Sequence, residues 1–185
     1  MEIVLATCTL RDWRSGDEAS LAHHADNPNV ARNLGDIFPH PYTLDNARSW
    51  IRANAGVEPV TRFAIVVEGE ARGGIGIEIG SNIHRRSAEI GYWLGERFWG
   101  RGIVTDALLA VTRYAFDAFD LAHVFAGTFE RNTASRRVLE KAGYVLEGRL
   151  RQHVTKDGVT MDDLVYGIVR DSRVEAEIRR TKDSS

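Results

Sequence analysis

Several stretches of the chain alternate apolar residues with polar or small ones, the two-residue period of a β-strand. Seven strands are predicted in this way. The first four cover Ile3 to Leu10, Phe63 to Val67, Ile75 to Ile79 and Ala88 to Leu94. A fifth covers Val124 to Phe129, and the last two lie on either side of Asp157-Gly158, a dipeptide typical of tight hairpins.

Other stretches repeat apolar residues every three or four positions, the period of an amphipathic helix. Asp17 is predicted to cap a short helix that ends before Pro28. Thr43 is predicted to cap a second helix that continues to about Ala55.

Two further helices are predicted in the second half of the chain. A long one runs from about Gly102 to Phe119, and a shorter one begins after Asn132 and stops at Gly143. The order of elements is therefore one strand, two helices, three strands, a helix, a strand, a helix and a closing hairpin. This order predicts an α/β (α+β) protein with a largely antiparallel sheet and one strand–helix–strand crossover near its middle.

The chain has 185 residues and a mass of 20.7 kDa, enough for one compact domain. We expect that domain to cover residues 1–170 and a charged tail to cover 171–185. The net charge of −2 argues against a nucleic acid partner. No apolar run is long enough to span a membrane, no N-terminal signal is evident, and the single Cys8 fits a reducing compartment, so a cytoplasmic protein is expected.

The segment Arg97-Phe98-Trp99-Gly100-Arg101-Gly102 connects the fourth predicted strand to the long helix. Backbone N–H groups at a helix N-terminus have no partner within the helix, and the helix dipole adds partial positive charge there. Gly100 and Gly102 let the backbone approach a ligand closely, and Arg97 and Arg101 add permanent positive charge. These features together predict a site for a diphosphate.

Two other phosphate-binding motifs are disfavoured by the spacing of the glycines. The chain contains no G-x-x-x-x-G-K-[ST] motif, as a P-loop nucleotide hydrolase would. The run from Gly74 to Gly80 has one residue too many for G-x-G-x-x-G, and it continues as a strand instead of opening a helix. A dinucleotide-binding fold is therefore not expected.

The R-x-x-G-x-G pattern between a strand and a helix resembles the coenzyme A (CoA) diphosphate signature of the GCN5-related N-acetyltransferases (GNAT superfamily). The segments Glu89–Leu94 and Asn132–Tyr144 resemble the ribosomal-protein (RimJ/RimL) branch of that superfamily. The resemblance covers nearly the whole chain. It implies the GNAT fold, with a mixed, mostly antiparallel seven-stranded sheet, about four helices, and a splay between the fourth and fifth strands. It also implies an N-acetyltransferase that uses acetyl-CoA as cosubstrate. The six histidines include no pair at helical metal-site spacing, so a metal is not expected.

The resemblance further implies which residues hold acetyl-CoA. The pantetheine arm would pair with exposed backbone of the fourth strand, at Trp93, Leu94 and Gly95. The diphosphate would lie on the loop and helix start formed by Arg97, Phe98, Trp99, Gly100, Arg101, Gly102 and Ile103. Asn132 and Ser135 would face the pantetheine and thioester end, although a helix cap and a polar surface residue are their structural alternatives. Arg136 or Arg137 would reach the 3′-phosphate.

Transfer to an amine requires a proton acceptor, because only the neutral amine attacks a thioester. Glu89, on the polar face of the fourth predicted strand, is the candidate base, and Glu78 is the alternative. An exposed carboxylate or a salt-bridge partner is the other interpretation of Glu89. A backbone N–H near Leu94 would stabilise the oxyanion, and Ser135 would supply a proton to the departing thiolate.

Leu139 stands four residues before Gly143-Tyr144, where many members of the superfamily place a general-acid tyrosine. This difference shifts the acid role to Ser135. Cys8 has no evident activating neighbours, so direct attack in a ternary complex is expected rather than an acetyl-cysteine intermediate.

Three functions remain open for the acceptor side. A protein N-terminus or other protein amine is the first, a small amine (polyamine, amino sugar or aminoglycoside) the second, and CoA sensing without turnover the third. Acceptor contacts are expected from Phe38 to Tyr42 and from the last hairpin. A closed acidic pocket with Asp36, Asp162 or Asp163 would favour the small amine, and an open groove the peptide. A homodimer is also open, whereas a membrane partner is not expected.

Overall fold

A computed structural model describes residues 1–170, and the predicted charged tail over residues 171–185 lies outside them. Within these residues eight strands form one sheet in the spatial order β1-β2-β3-β4-β5-β6-β8-β7. The strands are Glu2–Val4 (β1), Thr9–Asp12 (β2), Arg62–Val67 (β3), Glu70–Ile79 (β4), Ser87–Leu94 (β5), His123–Phe129 (β6), Val145–Lys156 (β7) and Val159–Val169 (β8). The helices are Glu18–Ala25 (α1), Pro28–Ala31 (α2), Leu44–Asn54 (α3), Ile103–Ala118 (α4) and Thr133–Lys141 (α5).

The predicted fold class is confirmed, but the sheet has eight strands rather than seven. The stretch Ile3 to Leu10 forms two antiparallel strands because the chain reverses between Val4 and Thr9. The N–H of Leu5 donates to the carbonyl of Cys8 at 2.9 Å and closes this turn. None of the turn residues is Gly, Pro, Asn or Asp, so no local signal marks it. The fourth and fifth predicted strands are therefore β5 and β6.

The described residues also contain five helices rather than about four. The additional helix is the single turn α2, which begins at Pro28, the residue that was expected only to follow a helix. Proline is favourable at the first helical position because its missing N–H would have no partner there. Asn27 caps this turn, and its side chain accepts a hydrogen bond of 2.8 Å from the N–H of Asn29.

One of the two predicted caps in the first half of the chain is confirmed. Thr43 caps α3, since its hydroxyl accepts from the N–H of Asn46 at 3.2 Å. Asp17 precedes α1, but its carboxylate does not cap that helix. It accepts two hydrogen bonds of 2.7 Å from the buried guanidinium of Arg11 instead. A bidentate charged pair is stronger than a cap, so it takes the carboxylate away from the helix end.

The helices and the hairpin of the second half of the chain confirm the prediction closely. Helix α4 lies between Gly102 and Phe119, which are its capping residues. Helix α5 follows Asn132, whose side chain accepts from a backbone N–H of the first turn. The dipeptide Asp157-Gly158 has φ angles of 51° and 75° and connects β7 to β8, as expected for a tight hairpin turn.

Each face of the sheet packs against its own pair of helices. Helices α4 and α5 cover one face, where Ile90, Leu94 and Leu108 belong to the larger hydrophobic core. Helices α1 and α3 cover part of the other face, where Trp13 and Leu21 belong to a second core. The rest of that second face, over the middle strands, carries polar side chains.

The sheet opens between β5 and β6, which are parallel neighbours. Only three residue pairs join them, the last being Glu89 with Phe125. Beyond that pair β5 remains paired with β4 as far as Leu94, and β6 remains paired with β8 as far as Phe129. The two strands therefore diverge toward their C-terminal ends, and the splay that the resemblance implied is confirmed.

Candidate active site

Beyond Glu89, the backbone of β5 has no strand partner on the side of β6, which leaves a gap between the two strands. The carbonyl of Ser87 accepts from Gly80, and the N–H of Gly95 donates to Arg72, both at 2.8 Å, so the odd-numbered residues of β5 turn their backbone toward β4. Because backbone direction alternates along a strand, Tyr92 and Leu94 turn theirs toward the gap. Of the three residues expected to meet the pantetheine arm, Leu94 is thus the one with its backbone in the gap.

The aromatic residues around this backbone have separate roles. The indole N–H of Trp99 donates to the carbonyl of Leu94 at 2.6 Å. The N–H of Leu94 has no partner on β6, because the pairing of β5 with β6 ends at Glu89. The side chain of Trp93 lies on the opposite face of the sheet, next to Phe38, with ring centroids 5.6 Å apart. Trp99 therefore borders the gap, whereas the Trp93 side chain borders the other face.

The loop after β5 delivers a helix N-terminus to the mouth of the gap. Gly100 and Gly102 have φ angles of 73° and 79°, in the left-handed region that favours glycine, and a Cβ at either would meet nothing within 4 Å. The first N–H of α4 to bond within the helix is that of Asp106, which donates to the carbonyl of Gly102 at 3.1 Å. The N–H groups of residues 103–105 precede it, and they are the donors that a bound anion would use.

Some side chains of the loop are buried in the core, and others are exposed to solvent. Phe98 and Ile103 are buried, so they can offer a ligand only their backbone. Arg97 and Arg101 are exposed, and Arg101 lies 3.6 Å from the carboxylate of Glu68. The two cations that were expected beside the diphosphate are therefore accessible.

Arg72 and His24, which the sequence analysis did not select, support this loop from below. The guanidinium carbons of Arg72 and Arg101 lie 5.4 and 5.5 Å from the centroid of the Phe98 ring. Arg72 also donates to Nε2 of His24 at 2.8 Å, and since a guanidinium only donates, the neutral ring carries its proton on Nδ1. Burial, with Arg72 nearby, lowers the pKa of His24 to about 4. No sequence signal connects these residues, because 48 positions separate them.

The N-terminus of α5 closes the other side of the gap. The Asn132 side chain accepts from the N–H of Ser135 at 3.2 Å, so its capping role is confirmed. The Ser135 hydroxyl lies 2.9 Å from the hydroxyl of Tyr92. Arg136 donates to the Tyr166 hydroxyl at 3.3 Å, toward the sheet.

These contacts distinguish the two arginines that are candidates for binding the 3′-phosphate. Arg136 is engaged with the sheet, whereas Arg137 is exposed, which leaves Arg137 as the freer of the two candidates for the 3′-phosphate. Tyr92 is the third residue that the sequence analysis missed, since its place in the alternating pattern predicted only a core side chain. Burial raises its pKa to about 12. Leu139 is fully buried, as expected for a residue without a role in proton transfer.

An acidic cluster, formed by Glu78, Glu89 and Asp163, occupies the open part of the second sheet face. Glu78 and Glu89 are direct cross-strand partners on β4 and β5. Burial raises the pKa of Glu89, and the charges of Glu78 and Asp163 raise it further. Two glycines leave room around this cluster, since a Cβ at Gly91 would meet nothing within 4 Å and one at Gly127 would lie 3.5 Å from Asp163.

The other two aspartates that were considered for an acceptor pocket are already neutralised. Asp162 binds the guanidinium of Arg149 and accepts from the N–H of Gln152 at 2.8 Å. Asp36 lies 2.7 Å from the ammonium of Lys156. Of the three, only Asp163 stands beside Glu89.

These parts together define a class of protein. A backbone cleft leads from an anion-binding helix N-terminus to a serine hydroxyl, and an acidic surface lies on the adjoining face of the same strand. This arrangement fits a transferase whose donor is long and has a phosphate end.

Comparison with known proteins agrees with this class. The model of the acetyltransferase (GNAT) domain matches residues 8–145, and the chain belongs to this family. It is 39% identical over 101 residues to the "Uncharacterized N-acetyltransferase YoaA" of Bacillus subtilis, a match that covers 55% of the chain and 56% of that protein. The chain therefore spans about half the length of this relative.

Two further similarities extend over more of the chain. The "Putative ribosomal N-acetyltransferase YdaF" of Bacillus subtilis is 30% identical over 146 residues, which are 79% of the chain and 74% of that protein. A solved structure of Mycobacterium smegmatis RimJ in complex with CoA-disulfide has a TM-score of 0.76 and 28% identity, and covers 89% of the chain and 83% of that structure. Over residues 1–170 no helix has the length and apolar character that a membrane crossing requires.

Proposed function

We propose that this protein transfers the acetyl group of acetyl-CoA to a primary amine, and that a protein N-terminus is the first candidate acceptor. The observation that carries the proposal is the gap between β5 and β6, which opens directly onto Gly100, Gly102 and the N-terminus of α4. The membership in the GNAT family and the complex of the similar RimJ structure with a CoA derivative support it.

The described residues fit this donor. The N–H groups of residues 103–105 and the exposed Arg97 and Arg101 would hold the diphosphate, with the open space above both loop glycines leaving room for it. The free N–H of Leu94 would hold the arm that follows, Asn132 and Ser135 would line its far end, and the donor would supply an activated acetyl thioester.

Glu89 would accept the proton that the amine loses. Its raised pKa makes it a stronger base than an ordinary glutamate, and the negative charges of Glu78 and Asp163 would attract an ammonium group to the same place. A backbone N–H near Leu94 would stabilise the oxyanion. Ser135 borders the gap at the position where the sulfur would leave.

The open acidic face favours a peptide over a small amine. Glu89 reaches solvent, although its surroundings partly desolvate it, and a Cβ at Gly91 would meet nothing within 4 Å, so a chain could lie across this surface. The name of the YdaF relative, a ribosomal N-acetyltransferase, agrees with that acceptor class. Two contacts favour the second candidate, a small amine, because a fixed segment is suited to a closed pocket rather than to an open groove. Arg131 donates to the carbonyl of Arg32 at 2.6 Å, and Lys156 binds Asp36, so residues 32–38 are held at two points.

A thiol-release assay with acetyl-CoA tests the proposal. The acceptors are ribosomal N-terminal peptides that begin with Ser or Ala, the same peptides with a blocked N-terminus as matched controls, and spermidine, glucosamine and kanamycin. We expect release with at least one free peptide and none with its blocked form. Release with small amines alone would assign the second candidate, and tight acetyl-CoA binding without release would assign the sensor function.

The choice between a monomer and a homodimer stays open, and a cytoplasmic location stays a prediction of the sequence. Gel filtration with light scattering on the full chain would measure the first, and cell fractionation the second.

A further inference from the structure

The hydroxyl of Tyr92 forms its shortest contact with the hydroxyl of Ser135, at 2.9 Å, while the carbonyl of Ser135 is 3.4 Å away. Tyr92 belongs to β5 and Ser135 to the first turn of α5, so the contact bridges the gap into which the donor would enter. Both residues are partly buried. This hydrogen bond is therefore internal to the site rather than a surface contact.

The direction of the hydrogen bond follows from the chemistry of its two hydroxyls. A phenol is more acidic than an aliphatic alcohol, so it is the better donor, and the alcohol oxygen is the better acceptor. The raised pKa of Tyr92 keeps its proton in place throughout the working range of an enzyme. Of the two possible acceptors, the Ser135 hydroxyl oxygen is nearer to the phenol than the Ser135 carbonyl. With Tyr92 as the donor to that oxygen, the hydrogen of Ser135 is left to point elsewhere.

We propose that Tyr92 is a positioning residue that turns the Ser135 hydroxyl hydrogen toward the sulfur of CoA. The proposal rests on the proposed function, because the sulfur has a place in the gap only if the donor binds there. Without the phenol, the Ser135 hydroxyl would be free to donate to backbone carbonyls of its own helix. When the phenol of Tyr92 donates to the Ser135 oxygen, it fixes the position of that oxygen, and the hydroxyl hydrogen can then face the gap.

The group transfer balances without a proton leaving Tyr92. Attack of the amine nitrogen forms the bond to the carbonyl carbon and breaks the carbon–sulfur bond, whose electron pair goes to sulfur. Glu89 takes the proton that the nitrogen loses and passes it to solvent, from which the sulfur is reprotonated. Ser135 stabilises the charge on sulfur by a hydrogen bond, and Tyr92 holds Ser135 in the orientation that makes this bond.

Tyr144 provides a matched control within the same molecule. Its hydroxyl lies 2.7 Å from the hydroxyl of Thr112, it is buried, and burial raises its pKa to about 12 as well. Its partner lies on α4 in the core rather than on the gap. Loss of the Tyr144 hydroxyl removes a buried hydrogen bond of the same kind that does not involve Ser135. Tyr144 and Tyr92 interact electrostatically, so the control also measures what a change near Tyr92 does while the Tyr92 hydroxyl is kept.

The first test measures the pKa of the CoA thiol in its complex with the protein, from the ultraviolet absorbance of the thiolate. A hydrogen bond to a charged group lowers its pKa, so Tyr92→Phe and Ser135→Ala should each raise the thiol pKa by about 1, a tenfold change. Tyr144→Phe should leave it unchanged. A wild-type thiol pKa in Tyr92→Phe, or an equal shift in Tyr144→Phe, would overturn the proposal. If Tyr92→Phe does not fold, an unchanged thiol pKa in Ser135→Ala would overturn it as well.

The second test is a double-mutant cycle on turnover with an N-terminal serine peptide as acceptor. Tyr92→Phe should lower kcat about tenfold with little change in KM, and should have no further effect in a Ser135→Ala background. The same loss in that background would mean that Tyr92 does not act through Ser135. A wild-type protein that acetylates no peptide or amine would contradict the proposed function, while the thiol pKa would still decide the role of Tyr92.

Discussion

Glu89 lies between two other carboxylates, Glu78 across the β4–β5 pair and Asp163 on β8. Their charges oppose the ionisation of Glu89, and burial opposes it too, so the pKa of Glu89 is raised. Asp163 has a partial counterion in His153, at 3.6 Å, whereas Glu89 has no cationic partner among the described residues. At the scale of single residues, the structure thus supports Glu89 as the base over Glu78, its alternative.

The pH profile of acetyl transfer tests the role of Glu89. The carboxylate must be ionised to accept a proton, so the rate should rise as the pH passes its raised pKa. Glu89→Gln should abolish this rising limb and lower turnover by about 10²-fold. Steady-state rates from pH 5 to 9 measure both effects, and a profile that Glu89→Gln leaves unchanged would remove Glu89 from the mechanism.

Glu78→Gln is the control for that experiment. It removes a negative neighbour, so the pKa of Glu89 should fall toward its ordinary value and the rising limb should move to lower pH. Turnover at neutral pH should be retained. A loss of turnover as large as that of Glu89→Gln would instead make Glu78 the base.

At the scale of elements, the loop from β5 to α4 combines two left-handed backbone conformations with open space. Gly100 and Gly102 both need positive φ, and neither has any atom near the position of a Cβ. Their conformation sets the direction of the loop, and the open space leaves room for a ligand. Phe98, with guanidinium groups of Arg72 and Arg101 on its ring, anchors the loop to the sheet.

Glycine at position 102 has two proposed roles, to adopt a positive φ and to leave room for a ligand. Comparison of Gly102→Val with the control Gly56→Val separates them. Gly56 also has a positive φ, 70°, and open space around it, but it follows α3, away from the loop. Both variants should lose about 1–3 kcal/mol of unfolding free energy from backbone strain. Only Gly102→Val should also weaken acetyl-CoA binding, by about tenfold or more, because its side chain fills the space of the diphosphate.

Calorimetry with acetyl-CoA and thermal unfolding provide the two measurements for each variant. A folded Gly102→Val protein with the affinity of the wild type would show that the diphosphate does not bind at this loop.

At the scale of the whole molecule, the sheet is held together on both sides of the gap while the gap itself stays unpaired. Residues 32–38 cross from α2 toward α3 and are fastened at two points by distant parts of the chain. Arg131, 99 positions away, binds the carbonyl of Arg32, and Lys156, 120 positions away, binds Asp36. Arg131 lies between β6 and α5 and Lys156 lies on β7, so residues 32–38 are connected both to the start of α5 and to the last hairpin.

The ion pair between Lys156 and Asp36 is asymmetric, which gives a prediction for stability. The Lys156 side chain is 10% exposed and the Asp36 side chain 80%. Asp36→Asn leaves a nearly buried ammonium group without a counter-charge and should cost about 1–3 kcal/mol of unfolding free energy. Lys156→Met returns an exposed carboxylate to water and should change it by less than about 0.5 kcal/mol.

Urea unfolding of the two variants at pH 7 measures the difference. Equal losses would indicate that the pair contributes as an ordinary surface salt bridge, without the cost of an unpaired buried charge.

Much of the local structure could be predicted from the sequence because its causes lie within a few residues. The period of apolar residues and the capping by Asn132 determined helices α4 and α5, and Thr43 determined the start of α3. Asp157-Gly158 determined the last turn. The helix N-terminus after Gly102 was also a local feature, which is why the candidate donor site was predictable along with the fold.

Only the tertiary structure decided which side chains meet across the chain. It turned the carboxylate of Asp17 away from its helix, divided the first predicted strand in two, brought His24 and Arg72 under the loop, and placed Tyr92 against Ser135. The contacts of His24 with Arg72 and of Tyr92 with Ser135 join residues more than 40 positions apart. The turn after Val4 and the pair of Asp17 with Arg11 are closer in sequence, but no periodic or capping signal marks them. The sequence by itself therefore determined the elements and the donor loop, and the fold decided how they combine into a site.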